Sequence, residues 1–378
     1  IGRRKGHASS ADLRPESIAS CVEHAMDIAR FTQEDPCNGL ADPGLLATEQ
    51  PDLDLWHPAP MDASAAIERV LRCEAAGRSH EQISNSEGAT FNAGLGLGVY
   101  GNSNGFVGRS GGTRYSQSCV LLGGQGDSMQ RDYSYDSRRC FSELEAPEET
   151  GAEAARRTVM RLGSRQIPTA NMPVVFAPEV AQGLVGHLVG AISGSALYRN
   201  ASFLKDAAGE RLFPGWLNIL ERPRLKRGAG SAVFDSEGVA TSDRHIVEAG
   251  VLEGYVLSSY SARRLGLQTT GNAGGVRNLL LEPGGDGHEN LLRHMGDGFY
   301  VTEVMGQGVS MVTGDYSRGA SGFLVENGEL TCPVDQVTIA GNLRDMFLNV
   351  VGTGSDMDTR GNIHTGSVLI STMMVAGS

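Results

Sequence analysis

The chain has 378 residues, of which 20% are charged and 40% are hydrophobic, and its net charge is −12. This length allows two or three domains, and the composition is ordinary for a soluble globular protein. The acidic balance repels phosphate backbones and disfavours direct binding of nucleic acid. No apolar run approaches the roughly 20 residues of a membrane helix, so we expect no membrane contact.

The first 35 residues are interpreted as the remnant of an N-terminal α/β region. Ile1–Ser10 is predicted to be the end of a strand followed by a turn. A helix is predicted to begin at Pro15, because apolar residues then recur at helical spacing. Residues 35–60 are rich in proline and acidic side chains without periodicity, which predicts an ordered connector between domains.

A central domain is predicted over residues 36–166. Asp62 or Ser64 caps a helix that ends near Gly77, and a second helix spans Glu148–Leu162. Between them, two-residue alternation broken by glycine and asparagine indicates an antiparallel meander. Its predicted strands are Ala89–Tyr100, Phe106–Arg109, Arg114–Leu122 and Met129–Ser137.

A C-terminal domain is predicted over residues 167–378. It begins with a buried strand, Met172–Ala177, that leads into a helix. Glycine-punctuated strands follow, at Ala232–Phe234, Val251–Ser258, Asn278–Leu281, Tyr300–Met305, Ser310–Thr313, Gly322–Glu326, Glu329–Cys332 and Val368–Val375, with a helix at Ala340–Val351. The expected fold class is α+β, two domains with mostly antiparallel sheets and packed helices.

Pro178–Arg199 is predicted to be a single buried helix, because apolar residues occupy most of its circumference. Its glycines are spaced by three or four residues, at Gly183, Gly186, Gly190 and Gly194. Each costs about 1 kcal/mol relative to alanine in a helix, so the pattern needs a reason. Two explanations stay open: close packing against a sheet, or the close approach of another backbone such as a bound peptide. His187 shares the face of Gly183.

Gly314–Gly322 is predicted to be a short loop between strands. It carries the polar residues Asp315, Tyr316, Ser317, Arg318 and Ser321. Loops on rigid strands often carry binding sites, so this segment is a candidate surface for a peptide main chain. A simple polar hairpin is the equal alternative.

Several familiar catalytic motifs do not occur. The glycine runs near Gly94 and Gly123 are not followed by a helix, so they do not form a dinucleotide-binding turn. Ser321 lies in GASGF rather than GxSxG, and His80–Glu81 is not followed by the second histidine of HExxH. The six cysteines, none in a CxxC pair, indicate buried free thiols in a reducing compartment, hence a cytoplasmic location.

Many stretches, spread over nearly the whole chain in one order, resemble the TldD/PmbA family of peptidases and its PmbA/TldE branch. They are RKGHASSADL, EDPCNGLADP, NSEGATFNAGLGL, VYGNSNGF, MQRDYSY, FAPEVAQGLVGHLVGAISGSALYRNASFLKD, VEAGVLEGYVLSSYSARRLGLQTTGNAGG, TEVMGQGVSMVTGDYSRGASGF, TIAGNLRDM and TGSVLISTMMVAGS. The resemblance implies a PmbA/TldD-like fold and further residues upstream of Ile1.

The resemblance also implies a peptidase with two related subunits. The TldD-type subunit carries HExxxH, with zinc held by two histidines and a cysteine near the C-terminus, and the PmbA/TldE-type subunit pairs with it. Matched position by position, Gln182 stands at the first histidine, Gly183 at the glutamate and His187 at the second histidine. No cysteine follows Cys332. The implied chain therefore has no metal of its own, and zinc is expected in the partner subunit.

The resulting expectation is a metal-free subunit that shapes a peptide channel and supports proteolysis of unfolded peptides by a TldD-type partner. The candidate groove residues are His187, Gly183, Asp315, Tyr316, Arg318 and Ser321. The partner is a TldD-type subunit in a heterodimer, or a second copy in a homodimer. Two alternatives stay open: a regulatory protein-binding module, which the older family description "modulator of DNA gyrase" suggests, and a homodimeric, metal-independent peptidase that uses the Asp315–Ser321 loop.

Overall fold

The structure is a computed structural model that describes residues 1–377; Ser378, the last residue of the predicted C-terminal domain, lies outside the described residues. The first helix, α1, spans Pro15–Phe31, with Pro15 at its first position as expected. Residues 1–10 contain no strand, so the strand end predicted there is wrong. This segment lies against α1, and Gly6 is required because a Cβ would lie 2.0 Å from the Ala25 carbonyl oxygen.

The middle part of the chain forms a three-stranded antiparallel sheet with two helices. Its elements are α2 (Ala63–Arg78), β1 (Ile83–Gly101), β2 (Val107–Gly123), β3 (Gln130–Arg138) and α3 (Pro147–Met160). The strand order β1-β2-β3 confirms the predicted meander. The two strands predicted within residues 106–122 are one strand, because residues 110–112 continue the pairing opposite residues 96–98.

Helices α2 and α3 pack closely on this sheet. Gly151 allows the contact, since a Cβ there would lie 2.0 Å from the Cys73 carbonyl oxygen. The core beneath them contains Cys73, Cys119, Leu121, Ala154 and Ala155. All six cysteines are free, but only Cys73 and Cys119 are buried.

The remainder of the chain is richer in short elements. In order, they are β4 (Ala170–Phe176), α4 (Pro178–Ala191), α5 (Gly194–Tyr198), β5 (Ile219–Glu221), β6 (Arg244–Glu248), β7 (Val251–Leu252), α6 (Ser259–Leu265), β8 (Leu279–Leu281), α7 (His288–Met295), β9 (Gly298–Met305), β10 (Asp315–Glu326), β11 (Glu329–Asn342), α8 (Leu343–Leu348), β12 (Val350–Thr353), β13 (Ile363–His364) and β14 (Val368–Ala376).

These strands form two sheets. The larger has the order β11-β10-β9-β4-β14-β12, and an extra pairing of β11 with β14 closes five of its strands into a ring. The smaller has the order β13-β8-β5-β6-β7. Apart from the parallel pairs β4–β9 and β8–β13, neighbouring strands are antiparallel, as expected for this α+β fold. The domain division at residue 166 stays a prediction. None of the helices within residues 1–377 has the length and apolar character to cross a membrane.

Besides residues 178–199 and 314–322, which are described below, four predicted elements of this region differ from the structure. Residues 232–234 and 310–313 are not strands, and the strand predicted over Val251–Ser258 is only β7. Of the helix predicted over Ala340–Val351, only α8 is helical in the structure. The first residues of the predicted helix belong to β11, where residues 338–340 pair with β14, and the Asn342 side chain then caps α8 by accepting the Arg344 N–H at 3.1 Å. Pairing with a distant strand overrides the local helical pattern.

An ionic network joins the start of α4 to the middle sheet. The Arg360 guanidinium donates to both carboxylate oxygens of Asp358 at 2.8 Å, to the Tyr135 carbonyl oxygen at 2.9 Å and to Glu179 at 3.3 Å. Glu179, the second residue of α4, also accepts Arg157 at 2.7 Å. The Asp358 side chain is only 4% exposed, so its charge depends on Arg360 for compensation.

We expect Arg360→Ala to lower the free energy of unfolding by about 3–5 kcal/mol, because it leaves the buried Asp358 carboxylate without its cation. Urea denaturation measures this change. Arg156→Ala is the matched control: its ion pair with Glu153 has side chains 58% and 39% exposed, and loss of an exposed pair costs less than about 1 kcal/mol. Equal losses of stability in the two variants would contradict the conclusion that Arg360 compensates the buried charge of Asp358.

Candidate functional site

The helix predicted over Pro178–Arg199 is interrupted. Helix α4 ends at Ala191, and α5 begins at Gly194 after Ser193 adopts an extended conformation. The cause is a distant segment: the Gly194 N–H donates to the Val256 carbonyl at 2.9 Å, and the Val256 N–H donates to the Ile192 carbonyl at 3.0 Å. These bonds take the backbone groups that a continuous helix would use. The single-helix prediction is therefore wrong at residues 192–193.

One side of α4 is buried and the other is open. The buried residues are apolar: Val180, Ala181, Leu184, Val185, Leu188 and Ala191. The predicted burial over most of the circumference is therefore wrong on the side of the exposed Gly183. On this open side, a Cβ placed on Gly183 or Gly186 would meet no atom within 4 Å. Packing against a sheet therefore does not explain these two glycines. Close packing does explain Gly194 in α5, but the packing is against helix α6, because a Cβ at Gly194 would lie 2.3 Å from Ser261 Oγ.

The segment predicted as a loop over Gly314–Gly322 is mostly strand β10. It pairs with β11 on one edge and with β9 on the other. Its glycines and polar residues suggested a loop, but two neighbouring strands satisfy its backbone groups. Because side chains alternate along a strand, Asp315 and Tyr316 point to opposite faces.

Three predicted site residues lie together beside α4. The His187 and Tyr316 rings meet edge to face, with centroids 5.9 Å apart. Burial, and then the positive charge of Arg318, lowers the pKa of His187, so the imidazole is neutral at pH 7. Burial raises the pKa of Tyr316 to about 12, although Arg318 opposes the shift. This group, the His187 cluster (His187, Tyr316 and Arg318), adjoins the open face at Gly183.

The other two predicted groove residues are elsewhere. Ser321 is 1% exposed, and its hydroxyl donates to Asp335 at 2.9 Å. The exposed Asp315 accepts the Thr313 hydroxyl at 2.6 Å. Asp315 and Ser321 are six positions apart along β10, a distance of about 20 Å. The structure therefore does not bring all six predicted residues into one site.

Gln182 points away from the open face, toward the segment around Asp358 and Gly361. Its Nε2 is buried without a hydrogen-bond acceptor at good geometry. The Asp358 carboxylate beside it is held by Arg360. Within residues 1–377, no three His, Cys, Asp or Glu side chains are grouped so that they could hold a metal ion.

Sequence reasoning missed a cavity near the start of α4 that both charged and apolar side chains line. Its volume is about 420 Å³, and His288, Tyr300 and Asp356 line it together with Glu179. Asp356 accepts the Ser367 hydroxyl at 2.6 Å and lies 3.5 Å from His288 Nδ1. The serine is on the side of Nδ1, so the three do not form a nucleophilic triad. Their wide spacing in the chain gives no local motif that could have revealed them.

Comparison with known proteins decides the family. The model described as the PmbA/TldA metallopeptidase C-terminal domain matches residues 169–377, and that of the central domain matches residues 56–162. The chain belongs to the PmbA/TldD family. It is 52% identical to "Metalloprotease PmbA" of Escherichia coli over 376 residues, which cover 99% of this chain and 83% of the relative. It is thus a member of a metallopeptidase family.

Other family members extend the comparison. Haemophilus influenzae has a "Metalloprotease PmbA homolog", 47% identical over 100% of this chain and 84% of its own length. The same species has a "Metalloprotease TldD homolog", 24% identical over 54% of this chain and 46% of its own length.

Solved family structures have the same fold. A Bacteroides thetaiotaomicron protein named modulator of DNA gyrase superposes with a TM-score of 0.94 at 28% identity, covering 100% of this chain and 87% of its own. TldE from Thermococcus kodakarensis gives 0.85 at 20% identity, covering 100% and 88%, which supports the fold alone.

We expect Gly183→Ala and Gly186→Ala each to raise the free energy of unfolding by about 1 kcal/mol. The new methyl group enters open space, and alanine favours the helix. Gly194→Ala is the control and should destabilise, because its Cβ would overlap Ser261. Chemical denaturation of the three variants tests this contrast, and destabilisation by the first two would show that their face is occupied in the isolated chain.

We expect the His187 imidazole to titrate below the usual value of about 6.5. Because its folded pKa is depressed, the stability that the neutral ring contributes is present above the unfolded pKa and is lost as pH falls through the window below it. An NMR titration, assigned by comparison with His187→Gln, measures the midpoint. Arg318→Gln should move it upward, since one cause of the shift is then absent. A midpoint above the usual value would contradict the geometry.

Proposed function

We propose that this chain is the metal-free subunit of a TldD/PmbA-type peptidase, and that it forms part of a peptide groove while a zinc-bearing TldD-type partner performs hydrolysis. The observation that carries the proposal is the identity of the side chains on α4. At the positions that correspond to the family's HExxxH, this helix has Gln182, Gly183 and His187. Of the two histidine ligands and the glutamate base of that motif, this helix therefore keeps one imidazole, that of His187.

The chemistry of this donor set does not fit a zinc ion. A catalytic zinc site uses about three protein ligands and an open position for water. A neutral amide at Gln182 is not among the usual zinc ligands, and Gly183 has no group that could accept a proton from water. The nearby Asp358 carboxylate is engaged by Arg360 at 2.8 Å on both oxygens. We therefore propose that zinc belongs to the partner.

The open face of α4 supports a role in binding peptide. Gly183 and Gly186 leave free space along the helix, so an extended main chain can approach the helix backbone closely. The neutral His187 ring offers a donor or an acceptor to a peptide group, and Arg318 offers a charged donor. In this proposal the groove supplies contacts and space, and the zinc of the partner supplies the activated water.

The existence of two related subunits favours a heterodimer. One species, Haemophilus influenzae, carries both a PmbA homolog and a TldD homolog. A homodimer is the alternative outcome. A metal-independent hydrolase built on Asp315 and Ser321 has less support, because Ser321 is buried against Asp335 and is remote from Asp315.

The test is peptide hydrolysis by this chain alone, by a TldD-type partner alone and by their mixture, each with and without a zinc chelator. We expect chelator-sensitive cleavage of unfolded peptides by the mixture, and neither cleavage nor stoichiometric zinc with this chain alone. Robust, chelator-sensitive hydrolysis by this chain alone would overturn the proposal.

A variant of the open face tests the groove within the mixture. Gly183→Trp should lower kcat/KM of the mixture by about tenfold or more, a loss of about 1.4 kcal/mol, because the indole fills the space a peptide needs. Gly254→Trp is the matched control, since Gly254 also has no neighbour within 4 Å but lies outside α4. Unchanged zinc content and complex formation would show that the loss arises in the groove.

A further inference from the structure

A second cavity lies far along the β1–β2 hairpin from α4. It has a volume of about 760 Å³ and is open to solvent on one side. Its walls are the distal hairpin, the connector around Trp56, and the segment around Phe234 with Arg277. A volume of several hundred Å³ is typical of sites for small ligands or peptide segments. No residue of this cavity belongs to the His187 cluster.

Three arginines line this cavity without a neutralising carboxylate. Within residues 1–377, Arg109, Arg139 and Arg277 form no ion pair, although most arginines around the α4 network do. Arg139 donates to the carbonyl oxygens of Thr113, Gly228 and Ala229, at 3.1, 3.1 and 2.7 Å, and these groups carry no formal charge. Burial, and then Arg114, lowers the pKa of Arg139, in keeping with the absence of a nearby anion.

Two of these guanidinium groups also have unused donors. The Nε atoms of Arg139 and Arg277 are buried and have no hydrogen-bond acceptor. Buried donors in proteins are nearly always satisfied, so each unsatisfied one needs an explanation. In a chain with a net charge of −12, three arginines without ion pairs around one cavity give this region a positive charge that opposes the overall balance.

The two acids at the cavity do not neutralise it. Asp235 is 1% exposed, and its oxygens accept the backbone N–H groups of Glu237, Val239 and Ala273 at 2.8, 3.0 and 2.8 Å. Asp52 accepts the Asp54 N–H at 2.8 Å and is exposed. Both carboxylates accept hydrogen bonds from backbone N–H groups and pair with none of the three arginines. The positive charge of the arginines is therefore available to a ligand.

Part of the remaining wall is apolar, beside serines and glycines. Trp56 is 43% exposed, and Leu97 and Val99 are 80% and 72% exposed beside it. Gly112 allows Arg139 to lie against the hairpin, because a Cβ there would be 2.7 Å from Nη1. An exposed indole next to unpaired guanidinium groups suits a ligand that combines a flat apolar part with an anion.

We propose that this cavity binds an oxyanion, a carboxylate or a phosphate, on a ligand that also places an apolar group against Trp56. Arginine forks match both anions in geometry, so they share one recognition chemistry. The exposed Arg109 supplies charge at the solvent side, and Arg139 and Arg277, whose Nε atoms are buried, supply it from the walls. The site is independent of zinc and of the TldD-type partner, so it does not rest on the function proposed above.

The test is a titration of the chain alone, followed by the fluorescence of Trp56. Trp56 is one of two tryptophans, so the signal should disappear in Trp56→Phe while Trp216 remains. The probes are inorganic phosphate, a blocked hexapeptide containing Phe-Glu, and the same peptide with Phe-Gln. We expect saturable binding of phosphate, of the Phe-Glu peptide or of both, at concentrations below about 10 mM. The Phe-Gln peptide should bind at least about tenfold more weakly than Phe-Glu.

Variants complete the test. Arg109→Gln and Arg277→Gln should each weaken binding by about tenfold, and Arg224→Gln, an exposed arginine outside the cavity, should leave it within about twofold. Arg109 is exposed, so its variant keeps the test valid if Arg277→Gln fails to fold. Phosphate binding alone would identify a phosphate ligand, and Phe-Glu binding alone a carboxylate ligand. No saturable binding, or binding that the cavity variants leave unchanged, would overturn the proposal.

Discussion

The guanidinium of Arg360 is the contact on which the arrangement of the site depends. It joins the carboxylate of Asp358, the carboxylate at the start of α4 and a main-chain carbonyl of β3. It also lies 4.1 Å from the centre of the Tyr135 ring. One planar cation can satisfy these groups together because its five donors point in fixed directions. The position of α4 relative to the middle sheet is therefore set by a charged group rather than by apolar packing alone.

That position gives α4 two different faces. Its buried face belongs to the main hydrophobic core, with Leu184 and Leu188 among residues from both large and small sheets. Its open face carries glycines that no packing contact requires. Glycine destabilises a helix, and here no packing contact compensates for that cost. What the glycines provide is open space beside a neutral imidazole and an arginine, which is the arrangement that a peptide groove requires. This is the physical link between the fold and the proposed role of the subunit.

The sequence predicted a good part of this structure. Alternation predicted the meander of the middle sheet. The apolar residues of α4 predicted a helix buried over most of its circumference, and the structure confirms the burial on one side only. The identities of Gln182, Gly183 and His187 are read directly from the sequence, whereas their correspondence to HExxxH rests on the family resemblance. Within the candidate site, the sequence predicted that His187, Tyr316 and Arg318 lie in one groove, and the structure brings them together. It also predicted a loop that adds Asp315 and Ser321 to this groove, and that part is wrong. The glycines and polar residues of this segment are typical of a loop. The segment is nevertheless a strand, because β9 and β11 pair with it.

What the sequence determined by itself is therefore what depends on near neighbours: periodicity and helix starts. Only the tertiary structure decided where distant segments meet. The break after α4 comes from Val256, the bridge at Arg360 joins residues 181 positions apart, and the unpaired arginines of the hairpin cavity come from three separate parts of the chain. These three features depend on hydrogen bonds or charges between residues that are distant in the sequence. Such contacts can override the local preference for helix or strand, and they have no fixed spacing along the chain.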